Sequence, residues 1–322
     1  MSATRPPIAD RIRGQFALDA VIGAIGWIVI VLMQLGVSVS GHLLIEHLLL
    51  FAPLVIVPLG LRLTARTLAN GKYPFLYVWL AYLHPITTFA AVQAVLVEPG
   101  LPSGFAAGIW CAYCWAVAFW GLIRLWKSRT KSLDEVAVDV GLAYIAIGGV
   151  WFVLSRLGER PMGFGHEIVA LTAVHFHYAG FAAPIVVGLA GRALRANGRD
   201  HVLWRIGARA VIVCPIVIAI GITTSPIVEV IAAFGLAIAL TMCMLIVALR
   251  ATVQLSSLPA ILLWTCAASL SMTMVLACAY ALGEFTGMKW LSISQMAWIH
   301  GLVNVFGFAL PGMLAWTLAE KR

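Results

Sequence analysis

The sequence predicts an all-α, polytopic transmembrane helix bundle of about ten spans, with both termini in the cytoplasm. Three observations carry that expectation. The chain of 322 residues is 62% hydrophobic and only 11% charged, whereas soluble domains are about 45–50% apolar and about 25% charged. Apolar stretches of about 20 residues recur along its whole length, enough for each to cross a bilayer as a helix. These stretches are continuous rather than alternating, which argues against a transmembrane β-barrel.

Taken in order, the apolar runs place spans at roughly 17–38, 42–61, 75–97, 105–126, 137–156, 167–191, 208–223, 226–249, 260–282 and 293–318. The loops between them are short, so residues 1–322 read as a single integral membrane domain. The seventh span is short, and Thr223, Thr224, Ser225 and Pro226 make a tight turn into the eighth. Basic residues orient the set. Of the 21 Lys and Arg residues, only Arg156, Arg160 and Lys289 fall on the side opposite the termini. Cytoplasmic loops carry the excess of Lys and Arg, so this asymmetry predicts ten spans in a bacterial inner membrane with both ends inside. A missed span would exchange the two sides beyond it and destroy the bias.

The same count accounts for the net charge of +8, which therefore gives no reason to expect nucleic acid as a partner. The first apolar run is long enough to span and lacks a small-residue cleavage site, so it reads as a span rather than a signal peptide. The six cysteines all fall within apolar runs and imply no disulfide framework.

Ionisable groups inside a membrane are costly, and by default mark function. Span two opens GHLLIEHLLLF, which places His42 and Glu46 on one helix face and turns His47 about 100° from Glu46. Span three carries His84 before Pro85. Span six opens with His166 and Glu167 and continues to His175, His177 and Tyr178; span ten carries His300 and, four residues on, Asn304. At about 1.5 Å per residue, His47, His175, His177 and His300 come to a similar layer in the outer half, with His84 deeper. A lone membrane histidine usually ties helices together. A layer of them predicts a metal, haem or proton-relay site. Neutral imidazole suits haem iron, copper and zinc, so His42, His47, His84, His175, His177 and His300 are the candidate metal ligands. Glu46 and Glu167 are candidate ligands, acid–base groups or supports, and Tyr178 and Asn304 candidate hydrogen-bonding or proton-donating groups. Residues two apart on a helix project about 200° apart, so His175 and His177 cannot share one metal from a regular helix. The CAYC pair, Cys111 and Cys114, also shares a face, but buried thiols commonly act as small hydrophobes.

Taken together, HFHYAGF with the downstream GLAGR, the HP pair at residues 84–85 and HGLVNVFGFALPGMLAW at residues 300–316 resemble the YndJ-like family of bacterial membrane proteins. That resemblance implies an integral membrane protein and supplies no catalytic residues. HFHY alone also looks like the haem-ligating segment of haem–copper oxidase catalytic subunits, in which two such histidines bind different haems. On that likeness His175 and His177 would each hold a haem iron. The functional expectation is a haem- or transition-metal-dependent oxidoreductase working on a quinol, lipid or isoprenoid. The alternatives are a proton-coupled transporter and a metal-free structural or lipid-modifying protein. Membrane lipid is the expected surrounding, and an unidentified membrane protein a further partner.

Overall fold

The computed structural model describes residues 8–34, 41–65, 72–127, 132–288 and 290–320. Among them it contains ten helices long and apolar enough to cross a membrane and no strand. They are α1 (Arg11–Gln34), α2 (Leu43–Leu63), α3 (Phe75–Leu96), α4 (Leu101–Lys127), α5 (Leu133–Leu157), α6 (His166–Ala196), α7 (Val202–Thr224), α8 (Pro226–Gln254), α9 (Ser257–Thr286) and α10 (Ile293–Ala319). An even number returns the chain to the end at which it began, here the terminal end; the other is the far end.

The helices agree in order and number with those expected from the sequence, and run longer at several ends. The seventh differs most. Expected from residue 208, it begins at Val202, because His201 caps it by accepting the Leu203 N–H at 3.2 Å. Arg205 and Arg209 then belong to its first turns, where long basic side chains reach out toward the headgroups. Arg205 is ion-paired with Asp200.

α2 is the most buried of the ten. Its middle, Ala52–Ile56, is a π-turn, in which Val57 N–H bonds back five residues to Ala52 O. The next donor in that register would be residue 58, a proline, which has no N–H. The Pro53 carbonyl is thus left open, and His84 Nε2 meets it at 3.1 Å. Other helices supply side-chain donors to α2 in the same way. Trp27 donates to His47 O at 2.8 Å and Tyr178 to Leu48 O at 2.7 Å. Tyr77 donates to Leu61 O at 2.7 Å, Arg192 to Leu63 O at 3.4 Å, and Arg124 to Thr64 O. A backbone carbonyl without a partner in hydrocarbon is costly, so these bonds make α2 the axis on which the bundle is hung.

α1 docks on that axis through Gly23 and Trp27 and on α3 through Asp19, residues four apart that lie on one helix face. At Gly23 a Cβ would stand 1.9 Å from the Leu54 carbonyl oxygen, so only glycine permits this approach. At the terminal end of the bundle a charge network ties α4, α5 and α6. Arg124 donates to Asp139 at 2.6 Å and to Glu135 at 3.3 Å. Arg192 forks onto both oxygens of Glu135 at 2.7 and 2.8 Å, and Arg195 reaches Asp134 at 2.5 Å. Arg124, Asp134, Glu135 and Asp139 are all buried, and each charge finds an opposite one.

Candidate functional site

The histidines expected to form one layer divide into two kinds. His177 and His84 have both ring nitrogens engaged by protein. His177 Nδ1 donates to Ala173 O at 2.8 Å, and Nε2 accepts the Trp110 indole N–H at 3.1 Å. Its ring stacks on Trp110 at an interplanar angle of 20° and is fully buried. On the opposite side a Cβ on Gly148 would stand 2.7 Å from its Nδ1. No ring nitrogen and no space remain there for a haem, so the likeness of HFHY to a haem-ligating segment does not carry over to His177. His84 is held by Asp19 at 3.0 Å, by Pro53 O and by Thr88 Oγ1 at 3.2 Å. It braces the break in α2 rather than offering a nitrogen to a metal.

His175 and His300 are the other kind. Both line a half-open cavity of about 320 Å3 between α6 to α10, with Leu48 of α2 in its wall. His175 ends the regular part of α6, and Phe176–Ala182 continues as a π-helix. The two histidines of HFHY leave that helix toward different neighbours, His175 to the cavity and His177 to α4. No protein group is hydrogen-bonded to the His175 ring, which is open to the cavity. His300 sits in the π-turn Met296–Gly301. Its Nδ1 lies 3.0 Å from Thr273 O, and a carbonyl can only accept. Nδ1 therefore carries the proton, and the neutral ring presents Nε2 as an acceptor. Asn304 closes the knot: its Nδ2 donates to His300 O at 2.9 Å, and its Oδ1 accepts from Thr273 Oγ1 at 3.0 Å. Asn304 and Thr273 thus orient the imidazole, and His175 is near enough to interact with it electrostatically.

The rest of the cavity is mostly apolar, with Leu171, Leu236, Leu240 and Met274 among its walls, and it reaches Glu229 and Tyr280 near the far ends of α8 and α9. Tyr178 also lines it, but its hydroxyl proton is committed to Leu48 O.

The remaining candidates lie elsewhere. His47 is buried beside a separate pocket of about 210 Å3 lined by Trp27, Gln34 and Trp298, and its Nδ1 has no partner. Leu48 stands between that pocket and the large cavity. Glu46 is ion-paired with Arg156 at 2.7 Å; Arg156 is itself buried and also bonded to Ser103 and Val97 O. Glu167 lies exposed in the first turn of α6, where a carboxylate favours the helix N-terminus. The side chain of His42 lies outside the described residues. Among the described residues, no three His, Cys, Asp or Glu side chains come together to hold a metal ion. The expected layer is a matter of depth alone. The helices share it, but their side chains turn into different compartments.

Asp19, Thr273 and Tyr280 were not singled out from the sequence, and Glu229 only as a carboxylate near the outer surface. Asp19 had a readable signal, a single carboxylate in an otherwise apolar run. Thr273 had none, since its carbonyl does the work.

Comparison with known proteins finds a family model described as YndJ-like protein, which matches residues 47–308. An uncharacterized membrane protein YndJ of Bacillus subtilis (strain 168) is 34% identical over 298 residues. The match covers 89% of this chain and 50% of that protein, so the chain spans half the length of the curated relative. No solved structure matches.

Proposed function

The chain belongs to the YndJ-like family of membrane proteins, and from that premise we propose that it takes a lipophilic molecule into the cavity between α2 and α6–α10. There His175 and His300 hydrogen-bond its polar group and exchange a proton with it. One observation carries the reading: Thr273 O fixes the His300 tautomer so that an unprotonated Nε2 remains for the cavity, where His175 also has no protein partner. Neither ring is sealed off from the cavity, but a polar atom with no bond in apolar surroundings is costly. A ligand group that satisfies it recovers that cost, and apolar walls take the rest of the molecule. The basic-residue asymmetry orients the protein with its termini in the cytoplasm and the Glu229–Tyr280 end of the cavity toward the outer face of a bacterial cell membrane.

The redox version of this reading places a haem or a transition metal on His175 and His300. It has two imidazoles in its favour, enough for the axial positions of a haem, whereas a bare transition metal would lack a third ligand among the described residues. One sample separates the versions. Detergent-purified protein is examined by absorption before and after dithionite, by elemental analysis, and by titration with a fluorescent long-chain alcohol. Saturable probe binding, weakened at least about tenfold in His300→Ala, is the expected result and corresponds to about 1.4 kcal/mol. A Soret band or stoichiometric metal would move the site to redox chemistry. Binding that survives unchanged in a folded His175→Ala/His300→Ala double variant would overturn the proposal.

A further inference from the structure

Asp19 and His84 meet in the middle of the bundle, away from the cavity. The His84 side chain is 1% exposed and that of Asp19 7%. Every polar neighbour limits where protons can sit. The Pro53 carbonyl, 3.1 Å from Nε2, can only accept, so Nε2 carries a proton. Thr88 Oγ1, 3.2 Å from Nε2, can accept from it and turn its own proton to Pro53 O at 3.5 Å. Gln15 Nε2 donates to Asp19 Oδ1 at 2.8 Å, which leaves Oδ2 to face His84 Nδ1 at 3.0 Å. That last contact needs one more proton. It resides on the imidazole, giving an imidazolium–carboxylate pair, or on the carboxyl, giving two neutral groups. The pair is uncharged overall in both cases.

Removing the shared proton changes this. A lone pair on Nδ1 would then face a carboxylate oxygen, and a net negative charge would stand in a low-dielectric interior where it costs several kcal/mol. Among the described residues no Lys or Arg bonds either side chain, and Arg124, which also acts on Tyr77, is paired with Asp139 and Glu135. Phe16 and Tyr77 lie on one side, and Trp110 and Tyr113 of α4 pack against the His84 ring. The titratable hydroxyl of Tyr77 donates to Leu61 O and that of Tyr113 to Leu80 O. Arg13 belongs to the terminal end, where it is paired with Glu320.

We infer that Asp19 and His84 form a single-proton binding site inside the membrane, whose proton latches α1 to α3 and to the break in α2. The bound proton keeps the Asp19–Gly23–Trp27 face of α1 against α2 and α3, and its loss separates Asp19 from His84. α1 is suited to such movement, since its spanning window is the least buried of the ten, at 22%. The site shares no residue with the cavity, so it stands whether or not the lipophile reading does.

The test uses full-length protein in lipid nanodiscs with isotope-labelled histidine. The His84 signal is assigned by its disappearance in His84→Gln, and the α1–α3 distance is read by a spin-label pair. As pH is raised, one His84 nitrogen should lose its proton, or the Asp19 carboxyl band convert to carboxylate, and the α1–α3 distance should lengthen over the same range. Asp19→Asn can still hydrogen-bond His84 and so should fold with α1 docked, but should show no such pH-dependent lengthening. A shared proton that never leaves as pH is raised would overturn the inference. So would the same lengthening in Asp19→Asn.

Discussion

His177 and His300 are both membrane imidazoles in the far half of the bundle, and the structure treats them oppositely. His177 has its two nitrogens closed by Ala173 O and Trp110, and a neighbouring helix pressed against it at Gly148. His300 has one nitrogen closed by Thr273 O and the other left to a cavity. The difference lies in what surrounds each residue rather than in residue type or depth. Where every polar atom is paired, the imidazole serves packing. Where one atom is left over beside empty volume, it is available for chemistry.

Substitutions on the two sides should therefore separate stability from binding. The largest stability loss is expected at the paired terminal end. Arg124→Met removes one partner each of the buried Asp139 and Glu135; breaking buried ion pairs in this way costs about 3–5 kcal/mol. Thermal unfolding in detergent measures it, and a fall of only a degree or two would show the network to be dispensable. His177→Ala comes next, with about 2–4 kcal/mol lost from its two hydrogen bonds and its packed ring. His300→Ala should cost less stability than His177→Ala while weakening probe binding at least about tenfold. Equal losses from the two variants would erase the distinction between them. Gly23→Ala forces a methyl group onto the Leu54 carbonyl and should cost about 1–3 kcal/mol, read in the same melts.

The bundle itself was legible in the sequence because hydrocarbon admits few solutions. Length, apolar runs and the basic-residue bias led to ten helices, and ten are present among the described residues. The seventh was expected too short because Arg205 and Arg209 look like loop residues until Asp200 and the His201 cap are placed beside them. The site was legible only in part. His175 and His300 were expected together and do share a cavity. His84, His177 and Glu46 were expected with them and turn elsewhere, because depth along a helix says nothing of azimuth relative to neighbours; Tyr178 does line the cavity, with its hydroxyl bonded to Leu48 O. Their partners (Asp19, Trp110, Arg156 and Leu48 O) come from helices distant in sequence. Donation to a backbone carbonyl leaves no trace in residue identity, so the roles of Thr273 and Pro53 were unreadable.

The smallest effect belongs to the surface. Arg205 beside Asp200 holds that carboxyl below its ordinary value. A depressed carboxyl contributes stability at pH above its unfolded value of about 3.9, and the contribution is lost as pH falls through the folded value. The pair is exposed, so Asp200→Asn should change the melting temperature at neutral pH by no more than a degree or so and flatten only the acid limb of the stability profile.

The most direct test of the account is photo-crosslinking with a long-chain alcohol that carries a diazirine, followed by peptide mapping. The account predicts labels concentrated on cavity-lining residues of α6, α9 and α10, such as Val174, Met274 and Ala297, competed by unlabelled alcohol and lost in Gly301→Trp, which fills the cavity beside His300. Labels spread evenly over the lipid-facing residues of α1, α3 and α4, and unchanged in Gly301→Trp, would contradict it.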